Sequence, residues 1–279
     1  MIVVTGVSGQ LGSAFRRRLE DKAIYLDRGD LDLGDPGSIR LAIGPLQPTV
    51  VINCAAYTAV DLAENDREAA HAVNAVAVGE LAAATKDLGA RFVTFSTDYV
   101  FDGTKESPYV ESDQPNPMNV YGATKREGER LALAANPDTL VIRTSWVLSG
   151  THPNFAATML RLIGEGPVTV VDDQCGHPTF VDDLVAATLD AAEAGASGTL
   201  HATNQGTITW FGLAREIAEL AGLDVDGVQP VSTAEFPRPA ARPANSVLDS
   251  VRFDELGLAP LPDYHDSLGQ AVAQLSHRL

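Results

Sequence analysis

A glycine-rich segment, TGVSGQLG (residues 5–12), directly after the β-branched run IVV constrains this chain more than any other feature. Gly6, Gly9 and Gly12 form a GxxGxxG pattern where a short apolar strand passes into a helix. At such a turn one glycine permits the tight bend, one lets the backbone approach a pyrophosphate, and one lets helix lie against strand. The helix N-terminus presents free N–H groups and its positive dipole end to phosphates. A bound nucleotide cofactor is therefore expected. Leu11, Phe15 and Leu19 then recur at helical spacing, with Arg16, Arg17 and Arg18 between them.

The alternation continues. Ala23–Leu26 is a second strand ending at Asp27, Pro36 opens a helix to about Leu46, and Val50–Asn53 (VVIN) is a third strand, apolar enough to be covered on both faces. An alanine-rich helix over 66–89 precedes the strand Arg91–Ser96. A Pro-, Asp- and Ser-rich loop (102–118), a helix from Val120 to Ala135 and the strand Thr139–Thr144 follow. This rhythm predicts an α/β fold with a Rossmann-type doubly wound parallel sheet. After Ser145 it breaks into short apolar pieces (Val168–Val171, Gly198–His201), helices near 154–165, 181–193 and 209–222, and a Pro/Arg-rich stretch at 236–246. The expected division is a dinucleotide-binding domain over 1–150 and a smaller C-terminal substrate-binding lid over 151–279, interleaved with the first.

Composition narrows the function. Across 279 residues, 20 Lys+Arg face 37 Asp+Glu, a formal charge of −17. That balance opposes a nucleic-acid groove or an anionic membrane surface. No apolar run approaches the roughly 18 residues of a membrane span, and no secretory signal is recognised, so a cytoplasmic protein is expected. Cys54 and Cys175 make neither a disulfide framework nor a metal knuckle. Cys54 reads as a small buried apolar residue, and Cys175 has no sequence-level base beside it. His71, His152, His177, His201, His265 and His277 show no paired metal spacing, so no metal site is expected. His177 alone falls in a loop close to the expected substrate. The acidic residues at 61–68 read as a solvated helix start, and VSGQLG does not match a nucleophile elbow.

NVYGATKREGE places Tyr121 and Lys125 one turn apart on one helical face. A lysine beside a phenol is expected to lower the phenol from its ordinary pKa of about 10 and ready it to exchange a proton with a carbonyl or alcohol oxygen. The chain has only four lysines but 16 arginines, so a lysine here is not the default cation. Ser96 and Thr97 end the fourth strand, at the sheet edge where such folds bind ligands, and a hydroxyl there can hydrogen-bond a substrate oxygen. Asp27, about 20 residues beyond the glycine loop, suits the adenosine ribose hydroxyls of NAD, whereas the adjacent Arg28 suits the 2′-phosphate of NADP. Both coenzymes stay open.

The glycine loop, the strand-end Ser/Thr and Tyr-x-x-x-Lys together resemble the extended short-chain dehydrogenase/reductase superfamily. The segments NCAAYTAVDLAE, VNAVAV, FSTDYVFDGT, RTSWVLSG, NFAATMLRL, DDQCGHPT and ARPANSVLDS are similar to those of the dTDP-4-dehydrorhamnose reductase family. This resemblance runs from residue 2 to residue 250 and implies reduction of the carbon-4 ketone of a dTDP-sugar by NADPH or NADH. It implies a catalytic triad of Thr97, Tyr121 and Lys125, with Tyr121 as proton donor and Lys125 also at the nicotinamide ribose. Gly9, Gln10 and Leu11 would line the pyrophosphate, Asp27 the ribose, and Asp32 and Leu33 the adenine. Ala56, Tyr57 and Thr58 would complete the cofactor contacts. Thr97, Asp98, Trp146, Asn154, Gln174, Thr179 and Arg242 would face the substrate.

Some members of the family dimerise through a magnesium site using an acidic residue after the glycine loop. Ala14 stands at that position here, so neither that metal nor that dimer is expected, and a monomer or weak homodimer is. Two alternatives remain at this stage: a reductase or epimerase acting on another nucleotide sugar, and a non-catalytic regulatory subunit like the β subunit of methionine adenosyltransferase.

Overall fold

The computed structural model describes residues 1–278. Six strands build one parallel sheet: β1 (Ile2–Thr5), β2 (Ala23–Leu26), β3 (Val50–Asn53), β4 (Arg91–Thr97), β5 (Leu140–Thr144) and β6 (Gly198–His201). Their spatial order is β2-β1-β3-β4-β5-β6. The first five are the strands expected from sequence, within a residue at either end. The sixth, GTLH, comes from beyond residue 150 and pairs with β5 from Gly198↔Leu140 to His201↔Arg143.

The strands are apolar on both faces because both faces are covered. On one face Val4, Ile52, Val93 and Ile142 meet Phe15 of the helix Gln10–Leu19 and Val181, Leu184 and Val185 of the helix Val181–Glu193. On the other, Val3, Val51 and Phe92 meet Ile39, Ile43, Val78 and Leu81. The helix Val181–Glu193 and strand β6 thus fill the core of the main sheet although they lie far along the chain.

The helix expected over 66–89 is interrupted. Arg67–His71 and Ala77–Asp87 are α-helical, but Ala72–Val76 between them is a π-turn. Helix Pro36–Ile43 starts at the expected proline, capped by Asp35, and tightens into a 3-10 turn over Gly44–Leu46. A second core gathers Leu148, Met159, Leu160, Ile163, Phe180, Leu213, Ile217, Leu268 and Val272. It joins the helices Phe155–Glu165, Trp210–Leu220 and His265–Ser276 to the paired strands Val168–Val171 and Val228–Val231. Among the described residues, no helix is long and apolar enough to cross a membrane.

Candidate active site

Strand β1 lies between β2 and β3, so the chain leaves it toward opposite sides. The crevice at the C-terminal ends of β1 and β3 is the usual ligand site of such a sheet. The glycine loop occupies it. Gly6 has φ +69°, and a Cβ there would stand 2.5 Å from the Ala55 nitrogen. A Cβ at Gly12 would run into the Gly6 carbonyl oxygen. Gly9 differs: the nearest protein atom to a Cβ there is the Gly6 oxygen at 3.5 Å, so its outer side is open. Gly9 also N-caps helix Gln10–Leu19 without a side-chain cap. An open glycine at an uncapped helix start fits a dinucleotide pyrophosphate.

Gln10 is held from the far side of the crevice. Its amide oxygen accepts from Ser149 Oγ at 2.9 Å and Asn154 Nδ2 at 3.1 Å, while its Nε2 donates to the Val147 carbonyl at 3.4 Å. At the end of β2, Asp27 Oδ1 accepts from the Gly29 nitrogen at 2.7 Å, which fixes the turn. Arg28 is 88% exposed and pairs with Asp32 at 3.7 Å. Asp32 caps the Gly34 nitrogen at 2.9 Å, and Leu33 is buried. Ala56 and Tyr57 line the mouth half-buried beside the exposed Thr58.

Thr97, Tyr121 and Lys125 converge at the end of β4. Asn119 caps helix Val120–Ala135 through the Gly122 nitrogen at 2.7 Å, which sets Tyr121 in its first turn. The Lys125 ammonium is buried and donates to the Phe95 carbonyl at 2.6 Å. Burial pushes it down to about 8, against the pull of the Glu129 carboxylate. Glu129 is itself buried and takes two hydrogen bonds from Arg143, both at 2.8 Å.

The Tyr121 phenol runs opposite to the sequence expectation. Burial and the Asp98 carboxylate push it up to about 12, and only the Thr97 hydroxyl pulls it down. The Lys125 ammonium is turned to a strand carbonyl, and desolvation sets the phenol. The phenol therefore keeps its proton near neutral pH.

Asp98 is buried and accepts from Thr97 Oγ1 at 2.8 Å. Burial pushes its carboxyl up to about 6, opposed by the Ser246 and Thr97 hydroxyls. Its second oxygen, with Ser96 Oγ and Thr144 Oγ1, is buried without a partner. Unpaired buried acceptors and hydroxyls are costly; Thr144 is in register with Thr97 and shares its face of the sheet, whereas Ser96 faces the other side with Arg143 and Glu129.

The residues expected to face substrate divide. Trp146 follows β5 with φ +46°, a left-handed conformation rare outside glycine. Its indole stacks on Trp210 with centroids 3.5 Å apart and planes 9° apart. Gln174, donating to Thr233 Oγ1 at 2.9 Å, and Arg242 line a cavity of about 360 Å³ with Phe155 and Trp210. Asn154 caps helix Phe155–Glu165 and serves Gln10 instead. Thr179 has no exposed surface, and its backbone pairs with Trp146. His177 lies buried between the Thr203 and Thr207 hydroxyls at 3.0 and 2.9 Å, and burial holds it below its ordinary value.

Several residues escaped the sequence reading. Asn74, in the π-turn, accepts from the Tyr57 nitrogen at 2.8 Å and donates to the Tyr57 carbonyl at 3.0 Å and Thr124 Oγ1 at 3.2 Å. It ties the loop after β3 to the helix of Tyr121. A lone asparagine on the apolar side of an alanine-rich helix was the available signal. Asp61 is no solvated helix start: it accepts from Arg238 and Arg242 together. Ala14 is fully buried, and no cluster of three metal-ligating side chains occurs among the described residues.

A family model described as the RmlD substrate binding domain matches residues 1–277. A dTDP-4-dehydrorhamnose reductase of Mycobacterium tuberculosis is 44% identical over 282 residues, covering 98% of this chain and 92% of that protein. The crystal structure of such a reductase from Clostridium acetobutylicum superposes with a TM-score of 0.95 at 39% identity, covering 99% of each chain. One from Bacillus anthracis, in complex with NADP, gives 0.92 at 33% identity, covering 100% of this chain and 99% of that one. These matches run along nearly the whole length of this chain and of the relatives, and the chain belongs to the dTDP-4-dehydrorhamnose reductase family.

Proposed function

We propose that the protein reduces the carbon-4 ketone of dTDP-4-dehydro-L-rhamnose to dTDP-L-rhamnose, using NADPH or NADH. The observation that carries this reading is the convergence of Thr97, Tyr121 and Lys125 at the end of β4, beside a glycine cradle open at Gly9. When bound, the nicotinamide cofactor supplies the hydride that the ketone carbon accepts. Gly9, Gln10 and Leu11 would hold its pyrophosphate, Asp27 or Arg28 its adenosine ribose, Asp32 and Leu33 its adenine, and the loop Ala56–Thr58 the intervening part. Lys125, with donors left beyond its bond to Phe95, would hold the nicotinamide ribose.

Tyr121 gives its proton to the ketone oxygen as that oxygen gains charge. Its high pKa keeps the proton available, and the Thr97 hydroxyl orients the oxygen toward it. Trp146, Gln174 and Arg242 bind the nucleotide sugar, and the region after residue 150 that carries Gln174 and Arg242 is the substrate-binding part. Asn154 acts through Gln10, and Thr179 through the Trp146 backbone.

The test follows reduced-nicotinamide oxidation with enzymatically generated dTDP-4-dehydro-L-rhamnose, NADPH and NADH side by side, and a chelator in a parallel run. Turnover to dTDP-L-rhamnose is expected, unaffected by the chelator. Turnover only with another 4-keto-6-deoxy nucleotide sugar would reassign the substrate. No turnover from folded, cofactor-binding protein would overturn the enzymatic reading in favour of a regulatory one.

A further inference from the structure

Asp98 is 4% exposed, and the groups that hydrogen-bond its carboxyl are all neutral: the Thr97 and Ser246 hydroxyls and the backbone of Asp98 and Tyr99. The cations nearby are engaged elsewhere. Lys125 donates to the Phe95 carbonyl, and Arg238 and Arg242 close on Asp61. A buried carboxyl held without a cation is costly. Such a group beside a reacting hydroxyl is a candidate for proton chemistry.

The Thr97 hydroxyl stands between two exchangeable protons. It donates to Asp98 Oδ1 at 2.8 Å, and it lies against the Tyr121 phenol, whose pKa it pulls down. Its oxygen also accepts from the Tyr99 nitrogen at 3.2 Å, which fixes the oxygen and leaves the hydrogen free to turn. Tyr121, Thr97 and Asp98 are therefore linked in one line. Tyr121 loses a proton in every turnover and must regain it. Its ring is half-buried, and bound substrate and cofactor cover it further, so water reaches it poorly until product leaves.

We propose that Asp98 returns the proton to Tyr121 through the Thr97 hydroxyl before product leaves. This rests on the reductase reading and deepens it. As hydride arrives at carbon 4, the ketone oxygen takes the Tyr121 proton and the phenol O–H bond breaks. The Tyr121 oxygen then takes the Thr97 hydroxyl proton, and Thr97 takes the carboxyl proton of Asp98. Asp98 is left as a carboxylate and is recharged from water; its second oxygen, buried without a partner, has a lone pair free for that proton. One proton passes from solvent to the product alcohol, and no electrons move beyond the hydride. Asp98 acts through Thr97 and touches no reacting atom.

The relay follows hydride transfer, so its pH dependence belongs to kcat, which reports groups of the loaded enzyme. Facing Asp98 are Thr97 and Tyr99 at the end of β4, Tyr121 on the catalytic helix and Ser246 at the end of the Pro/Arg-rich stretch. Burial pushes both tyrosines up, and Arg242 and Asp61 act on Tyr99 from further out. Asp98, raised to about 6, is the group of this set that titrates below neutral pH. Lys125, one turn along from Tyr121, titrates near 8.

The test mixes NADPH-loaded protein rapidly with limiting substrate for a single turnover, and with excess substrate and NADPH for many. In Asp98→Asn the single turnover should run at about the wild-type rate, because the Tyr121 proton is already in place. Its kcat should fall about a hundredfold, at the lower end of what a positioned proton donor supplies. Ser246→Ala removes a hydroxyl that favours the Asp98 carboxylate. It should move the fall of kcat to higher pH and leave the kcat/KM profile in place, and it keeps the proposal testable if Asp98→Asn folds poorly. An equal loss in single and multiple turnovers of Asp98→Asn, or a kcat profile unmoved in Ser246→Ala, would overturn the relay and leave the reductase reading intact. A wild-type protein that oxidises no NADPH in the single turnover would count against the reading beneath it.

Discussion

The Lys125 ammonium donates to the carbonyl of Phe95, two residues before Thr97, at 2.6 Å. Its charge is thereby set against the sheet edge, while the Tyr121 phenol answers to burial, Asp98 and Thr97. The two residues of the Tyr-x-x-x-Lys pair hold separate posts in the site without ligand: one a buried cation near its titration point, the other a phenol that stays protonated.

A pH dependence follows from the lysine. Its folded value is pushed down to about 8, so it loses its charge as pH rises through that value, well before Tyr121 at about 12. The kcat/KM for reduction, which reports groups of the free enzyme, should fall on the alkaline side with a midpoint near pH 8. Lys125→Arg, which does not titrate in this range, should remove that limb even if its activity is lower throughout. An alkaline limb that persists unchanged in Lys125→Arg would assign it to another group.

Replacement of Tyr121 tests the proton donor directly. Tyr121→Phe keeps the ring that meets Tyr99 edge-on at 5.7 Å but removes the transferable proton. Turnover should drop by roughly two to four orders of magnitude, with cofactor affinity, measured by fluorescence titration, within about twofold of wild type. Near-normal turnover would remove the phenol from the proton-donor role.

The parts of this architecture legible in the sequence are those written locally. Strands β1 to β5 are uninterrupted apolar runs because both their faces are buried, and the glycine loop and the Tyr121/Lys125 spacing each lie within a dozen residues. What was not legible depends on partners far along the chain. Asp61 looks like any acid at a helix start until Arg238 and Arg242, 177 and 181 residues later, close on it. Strand β6 is four residues long and gains its place only by pairing with β5. The π-turn at Ala72–Val76 keeps helical composition throughout, and its contacts, Asn74 with Tyr57 and Thr124 and the close approach of Gly128, come from segments distant in the chain. The phenol pKa is hidden for the same reason, because spacing shows the lysine and not the burial.

Asp98 predicts a trade between stability and function. Burial raises its carboxyl from 3.8 to about 6 in the folded protein. The folded state therefore holds a proton that the unfolded chain has lost between about pH 4 and 6. Stability contributed by this group is present at low pH and is lost as pH rises through about 6. Asp98→Asn, which never ionises, should be more stable than wild type at pH 7 by an amount of the order of 2 kcal/mol, with the gain shrinking toward pH 4. Urea unfolding at the two pH values reads the difference, and activity should fall in the same variant. A variant less stable than wild type at pH 7 would contradict the costly buried charge.

Two helical glycines should respond to alanine with opposite signs. In an exposed helix, Gly→Ala gains about 0.5–1 kcal/mol from backbone entropy. Gly164 has no atom within 4 Å of a Cβ position, so Gly164→Ala should show that gain. Gly128 lies where helix Val120–Ala135 crosses the π-turn, and a Cβ there would run into the Asn74 carbonyl oxygen, a backbone atom that cannot swing aside. Gly128→Ala should therefore lose about 1–3 kcal/mol. Because Asn74 also holds both backbone polar groups of Tyr57, the displacement should reach the cofactor loop and weaken cofactor binding. Gly164→Ala should leave that binding at the wild-type value. Thermal unfolding with cofactor titration of the two variants separates the effects, and a stabilised Gly128→Ala with normal cofactor affinity would show that the helix crossing has room the packing does not suggest.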